Sequence, residues 1–306
     1  MIPVPVLVVT DGKNYEGSGT ISAVLKSEIL IQFPKLSRKD FDFFAALLKK
    51  SSGIRIQPSR ISMVESRLSR RLRHRGMASW KDYIDLLNSG DREELSQFVN
   101  ILTTNKSEFF RERTHFDYVL DDYLPSRQGK SLNPLNAWIA AASYGQEAYT
   151  LAMLLEEHFE EYRLDYRILA TDIDSYVLQV AHGGVYPQSD VERDVNSYLL
   201  SKYFLRGSGN NSGFYKIADV LQKRIKFRRH NLCDFDSKIP LQFDLIMARN
   251  ILIYFDAPTV ERCISKMVDN LVPGGLLILG HCEAIIEMKW NLTTVSPSIY
   301  RKNEDD

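Results

Sequence analysis

The sequence predicts an α/β protein: a small all-helical N-terminal domain, then a doubly wound, mainly parallel sheet with an inserted antiparallel β-subdomain. Three observations predict it. Apolar residues recur at helical spacing from Leu36 to Leu102. Beyond Leu135, short apolar runs alternate with amphipathic helical stretches, the pattern of a parallel sheet with crossover helices. Between 184 and 230 that rhythm breaks into pieces punctuated by Gly207, Gly209, Gly213, Asn210 and Asn211, which reads as a hairpin insertion.

Taken in order, residues 1–34 form an extension of short strand-like pieces, Val4–Thr10, Gly19–Val24 and Glu28–Phe33, closed by Pro34, with no function assigned. Residues 35–104 are the helical domain. Ser37 can cap a helix carrying Phe41, Phe44, Leu47 and Leu48, which Gly53 ends. Pro58 suits the first turn of a second helix, stopped by Gly76. Ser79 opens a third, with Tyr83, Leu86 and Leu87 inward, and Asp91 a fourth, with Leu95, Phe98, Ile101 and Leu102. Residues 105–115 are a polar linker, and 116–306 the sheet domain. Its apolar runs are Leu135–Ala142, Tyr166–Ala170, Ile225–Arg229, Phe243–Ala248 and, after the turn Pro273-Gly274-Gly275, Gly275–Leu279. Helices are expected over Glu147–Phe159, Ser175–Ala181 and Thr259–Leu271.

The 306 residues are 44% hydrophobic and 25% charged, ordinary globular values that exclude disordered, collagen-like and disulfide-scaffold classes. No apolar run reaches the ~18 residues of a membrane span, and the N-terminus lacks the basic start of a signal peptide. A cytoplasmic protein without membrane insertion is expected. Cys233, Cys263 and Cys282 are too widely and irregularly spaced for a disulfide framework or a metal site, so no metal is expected. The 39 basic and 39 acidic side chains cancel, which argues against nucleic acid coating the surface but leaves local patches open.

In an open parallel sheet, ligands bind beyond the carboxyl ends of the strands. Glu147 follows the first strand through Ser143-Tyr144-Gly145-Gln146, a turn without the glycine pattern or lysine of a phosphate cradle. Asp172 follows the second strand, with Asp174 two residues on. One of them can accept both hydroxyls of a ribose, or each can merely cap the next helix. An acid after strand one and another about 25 residues later fits an adenosyl ligand with a cationic amino-acid tail, S-adenosylmethionine. Asn231-Leu232 after Ile225–Arg229 offers an amide that can read an adenine edge. Arg249-Asn250 places polar residues where the chain leaves the buried fourth strand.

Several segments together resemble the chemotaxis receptor methyltransferases, the CheR family. They are Thr103-Thr104-Asn105-Lys106-Ser107-Glu108-Phe109-Phe110-Arg111-Glu112, Ala141–Glu147, Ala170–Asp174, Tyr203–Gly207, His230-Asn231-Leu232, Ala248-Arg249-Asn250, Ile253-Tyr254-Phe255-Asp256 and Gly280-His281-Cys282-Glu283. The resemblance spans about residues 36–302 and implies a class I, Rossmann-like methyltransferase domain with a β-subdomain insertion. It implies that Asn105, Ser107 and Arg111 touch S-adenosylmethionine, that Glu147 holds its ammonium and that Asp172 binds its ribose. It further implies that Asn231 and Leu232 contact adenine, that Arg249 and Asn250 line the site, and that Tyr254 sits near the transferred methyl. Tyr144, Gln146 and Ala148 depart from the family's usual Thr, Glu and Pro in the first loop.

The implied acceptor is a glutamate on a chemoreceptor's cytoplasmic methylation helix, converted to its γ-methyl ester in adaptation, with Tyr254 and Arg111 aligning the carboxylate. A non-catalytic module that senses the cofactor or scaffolds a signalling complex is the alternative. Between Ile54 and Gly76, seven arginines face one acid, Glu65. Arg60, Arg67 and Arg71 fall within about 40° of one another on a helix. The resemblance implies that they dock the acidic receptor helix, whereas an RNA would be attracted by the same charge. Gly207-Ser208-Gly209 fits a loop of the kind that binds a receptor's C-terminal tethering peptide by strand addition. The chain is expected to be monomeric and not to act on nucleic acid: the Pro-Pro-Tyr of amino methyltransferases and the Pro-Cys of cytosine enzymes are both absent.

Overall fold

A computed structural model describes residues 35–127, 134–158, 165–237, 239–285 and 287–304; the strand-like pieces read in the N-terminal extension lie outside them. The helical domain consists of α1 (Arg38–Ser52), α2 (Ile61–His74), α3 (Trp80–Asn88) and α4 (Arg92–Leu102). Each boundary has a local cause. Ser37 accepts from the Asp40 amide at the start of α1, and Gly53, at φ +79°, ends it in the left-handed region. Ser79 and Asp82 form a reciprocal capping box on α3. Asp91 accepts from the amides of Glu93 and Glu94 to open α4.

The apolar stripes meet as the spacing required: Phe41, Phe44, Leu48, Val64, Leu68, Leu72, Tyr83 and Phe98 are buried together. Each such side chain contributes about 1.5–3 kcal/mol by leaving water. Inside this core Glu94 accepts from Arg71 at 2.6 and 2.9 Å and from the Tyr83 hydroxyl at 2.9 Å.

The chain then passes through a short helix, α5 (Thr114–Tyr118), into the sheet domain. There follow β1 (Leu135–Ile139), α6 (Gln146–Glu157), β2 (Tyr166–Asp172), α7 (Ser175–Gly183), β3 (Val185–Pro187), α8 (Gln188–Asp194), α9 (Ser197–Tyr203), β4 (Phe204–Arg206), β5 (Phe214–Ile217), β6 (Ile225–Arg229), β7 (Phe243–Ala248), α10 (Ala257–Asp269), β8 (Leu271–Leu279), β9 (Leu292–Ser296) and β10 (Ile299–Lys302). Seven strands form one sheet in the order β6-β2-β1-β7-β8-β10-β9. Neighbours from β6 to β8 are parallel, and β10 is antiparallel to both β8 and β9. The strand order reverses at β1, between β2 and β7, so the loops leaving β1, β2 and β7 share one end of the sheet.

Two readings shift. The inserted sheet is β3-β5-β4, antiparallel, but β6 within the expected 184–230 range pairs with β2 in the main sheet. The Pro273-Gly274-Gly275 turn lies inside β8, where its register with β7 shifts, rather than ahead of the strand. No helix among the described residues is long and apolar enough to cross a membrane.

Candidate active site

A cleft of about 660 Å³ opens between the helical domain, the linker and the loops that leave β1, β2 and β7. Its volume falls within the range usual for small-molecule sites. Glu147, Asp172, Arg249, Asn250 and Tyr254 line the sheet side, Asn105, Ser107 and Arg111 the linker side, and Arg60 and Arg67 the helical side.

After β1 the chain turns sharply into α6. Ser143 and Gly145 both take positive φ, +48° and +89°. A Cβ on Gly145 would stand 2.8 Å from that of Ala181, so the turn needs glycine. The turn delivers Glu147 into the first turn of α6. Arg249, at the exit of β7, has a side chain only 1% exposed. Its guanidinium lies 3.0 Å from Glu147 and 3.3 Å from Glu112, donates to the Arg111 carbonyl and sits over the Phe116 ring. Burial pushes the Glu147 carboxyl up, against the pull of Arg249, and Glu112 pushes it up further. Glu112 also pairs with Arg111 at 3.9 Å, so of the two acids around Arg249 it is Glu147 that lines the cleft.

The two acids after β2 divide their labour. Asp174 caps α7 through the amides of Tyr176 and Val177, and its other oxygen accepts from Asn105 at 2.7 Å and Thr103 at 3.1 Å. Asp172 turns to the cleft, held by the amides of Ser143 and Asp174 at 2.8 and 2.9 Å. Burial pushes its carboxyl up to about 6, opposed by those amide bonds. Arg67 donates to the carbonyls of Ile101 and Thr103 at 3.1 and 2.6 Å, tying α2 to the start of the linker.

The model described as the CheR methyltransferase all-alpha domain matches residues 39–103, and that described as the CheR methyltransferase SAM-binding domain matches residues 105–300. The chain belongs to the CheR methyltransferase family. It is 39% identical over 266 residues to chemotaxis protein methyltransferase 2 of Pseudomonas aeruginosa, across 86% of this chain and 93% of that protein. It is 36% identical over 270 residues to the chemotaxis protein methyltransferase of Klebsiella aerogenes, across 88% and 89%. The Escherichia coli enzyme of that name is 32% identical over 284 residues, across 92% and 97%.

As a CheR methyltransferase the chain uses S-adenosylmethionine, and the donor set fits that cofactor. Asp172 spends one amide bond per oxygen, leaving lone pairs for ribose hydroxyls. The Glu147 carboxylate, in the cleft lining, suits an ammonium. The Ser143 hydroxyl is buried without a partner at the same turn.

Not every residue expected in the CheR site lines this cleft. Asn231 is spent structurally: its amide donates to the Ser51 carbonyl at 3.0 Å and accepts from the Cys233 amide at 3.0 Å. Neither it nor buried Leu232 is among the lining residues. The expected docking arc also divides. Arg71 is committed to Glu94 inside the helical core, Arg67 to linker carbonyls, and only Arg60 stays exposed at the cleft.

Two further acids, half-buried Glu112 and buried Glu283, carry no role in the sequence reading. Glu112 accepts from the Asn250 amide side chain at 3.1 Å and pairs with Arg249. Glu283 binds backbone amides of the loop after β7. Neither acid shows a spacing motif; its place within a CheR-like segment was the one available signal. His115 and His281 stand edge-on beside Glu112, ring centroids 4.6 Å apart, so the three potential ligand atoms lie within 4.8 Å of one another. Burial and the nearby Arg249 charge hold the His115 imidazole down to about 4.

Proposed function

We propose that this methyltransferase esterifies glutamate side chains on the cytoplasmic helices of chemoreceptors, forming γ-methyl esters in chemotactic adaptation. The observation that carries this reading is the charge layout of the cleft. Glu147 and Asp172 stand on the sheet side with the one cation Arg249, while Arg55, Arg60, Arg67, Lys106 and Arg111 line the opposite, helical and linker side with the one acid Glu108. Acids suit a cationic cofactor, and the cationic rim draws an anionic acceptor. The names of the relatives, chemotaxis protein methyltransferases, support the same assignment.

When bound, the cofactor supplies an electrophilic methyl group on a sulfonium. A glutamate carboxylate, with a reference pKa of about 4.3, is already ionised near neutrality, so no general base is needed. Glu147 and Asp172 would hold the cofactor's ammonium and ribose, and the acceptor oxygen would take the methyl with both charges neutralised. The chain's contribution is alignment and removal of water. Tyr254 packs and orients the acceptor, and Arg111 steers its carboxylate. Too strong an Arg111–carboxylate pair would stabilise the ground state, so Arg111 positions rather than clamps.

Arg60 meets the acidic face of the receptor helix at the rim. The antiparallel sheet β3-β5-β4, whose loop carries Gly207-Ser208-Gly209, offers edge strands to which a receptor's C-terminal peptide would add. The enzyme works in the cytoplasm as a monomer.

The test is transfer of labelled methyl from S-adenosylmethionine to a receptor cytoplasmic fragment. Alkali-labile label that disappears when the fragment's glutamates become glutamine is expected. Alkali-stable label, or none, would overturn the reading.

A further inference from the structure

Glu283 lines no part of the reaction cleft, yet its buried carboxylate organises one wall of it. One oxygen accepts from the amides of Asn250 and Gly280 at 2.6 and 2.8 Å; the other accepts from those of Leu252 and Ile253 at 2.7 and 3.3 Å. Four backbone donors from two loops, one after β7 and one after β8, thus converge on a single side chain. Asn250 takes φ +56°, a left-handed conformation that a non-glycine residue rarely adopts unless its surroundings enforce it. Its side chain reaches Glu112 at 3.1 Å, so the residue is pinned at both ends by acids. From there a single helical turn, Leu252–Tyr254, places Tyr254 in the cleft lining. The two loops pack so closely that a Cβ on Gly280 would lie 2.6 Å from the Asn250 side-chain nitrogen, 2.9 Å from its backbone nitrogen and 2.7 Å from the Glu283 carboxylate.

We propose that Glu283 is a positioning residue for methyl transfer: its carboxylate clamps the Asn250–Ile253 turn that aims Asn250 and Tyr254 into the cleft. The chemistry requires an ionised acid. A carboxylate offers acceptors on both oxygens, whereas a glutamine would set an NH2 donor against two amide donors. A lysine or arginine could not serve, because every group to be held is itself a donor.

The experiment compares Glu283→Gln and Glu283→Asp with the wild type in the full chain. Three quantities are read: binding of S-adenosylhomocysteine by calorimetry, turnover at saturating cofactor, and deuterium exchange of the 250–255 segment against β7. In Glu283→Gln, kcat is expected to fall about 100-fold, the effect of a misplacement near 1 Å, while cofactor-product affinity falls less than about tenfold. Exchange should quicken at 250–253 and stay unchanged in β7. Glu283→Asp, which keeps both acceptor oxygens on a shorter stem, should recover at least about a tenth of the lost rate by the same alignment argument. Turnover within threefold of wild type, equal losses in kcat and affinity, or unaltered exchange at 250–253 would each overturn the proposal. Should Glu283→Gln fail to fold, Glu283→Asp decides it: a smaller loss in kcat than in affinity overturns it, and a larger one upholds it. The exchange readout needs no acceptor, so a wrong acceptor class would leave it intact.

Discussion

Arg249 and Glu147 meet 3.0 Å apart in the cleft, with Glu112 on the other side of the same guanidinium at 3.3 Å. Glu112 is shared with Arg111 at 3.9 Å, so Glu147 is the carboxylate left to meet an incoming ammonium. Glu147→Gln keeps the shape and removes that charge. A hydrogen bond to a charged group is worth about 1.5–3 kcal/mol, so S-adenosylhomocysteine affinity should fall about 10- to 100-fold by calorimetry. An unchanged affinity would remove Glu147 from the cofactor site.

Asp172 gives the cleft a pH dependence. Its folded-state carboxyl is pushed up to about 6 by burial, whereas an unfolded aspartate titrates near ~3.9. Between those values the folded chain holds more protons, so through this group stability rises as pH falls from 6 toward 4. Cofactor binding runs the other way, because ribose hydroxyls need an ionised acceptor. Affinity for S-adenosylhomocysteine should decline as pH drops through about 6, by at most about tenfold per pH unit. Asp172→Asn should bind weakly with a flat profile across the same window.

Tyr254→Phe and Arg111→Ala should separate chemistry from binding. Both side chains line the cleft. Methyl transfer should drop about 10- to 100-fold, while cofactor affinity moves severalfold at most. Initial-rate kinetics beside calorimetry read the difference, and unaltered turnover in both variants would remove them from the reaction.

Arg60 and Arg71 make opposite predictions although helical spacing sets them on one arc; Arg60 sits just ahead of α2 and Arg71 within it. Arg71 is bidentate to Glu94, whose carboxylate is held below its usual range by that pair and by the Tyr83 hydroxyl, in spite of its burial. Removing the arginine leaves buried Glu94 with Arg75, 3.5 Å away, and the Tyr83 hydroxyl, so Arg71→Ala should lower the melting temperature, at a cost of about 1.5–3 kcal/mol for the lost charged hydrogen bonds. The Glu94 contribution is present above the unfolded pKa of about 4.3 and lost as pH falls through the lower folded value. Arg60→Glu should leave melting unaltered and raise the acceptor KM severalfold, more steeply at low salt.

The long periodic elements were legible: α1 to α4, β1, β2 and β7 follow from apolar spacing and caps that the structure repeats. Partnership was not. The period of Ile225–Arg229 predicts a strand but not that it joins β2 rather than the inserted sheet. Leu292–Ser296 and Ile299–Lys302 were overlooked because they are short and partly polar; their place comes from pairing beside β8. Asp172 and Asp174 read alike in the sequence, and only backbone direction shows which caps and which faces the cleft. Glu112 and Glu283 escaped because a carboxylate that binds neighbouring backbone carries no recognisable spacing. Arg71 looked available because a single helix cannot reveal the acid on its neighbour.

The seam at the end of α1 bears on modularity. A Cβ on Gly53 would stand 2.3 Å from the Cys233 sulfur, the Arg55 amide donates to the Tyr254 carbonyl at 2.9 Å, and Lys49 pairs with Asp256 at 2.8 Å. The helical domain is therefore a structural buttress for the very turn that carries Tyr254. Grafting a foreign helical domain to change acceptor choice would disturb that turn unless the stretch from Lys49 to Arg55 travelled unaltered. Divergence of acceptor preference within such a scaffold has its freest route through the exposed rim around Arg60, where side chains can vary without touching the buttress.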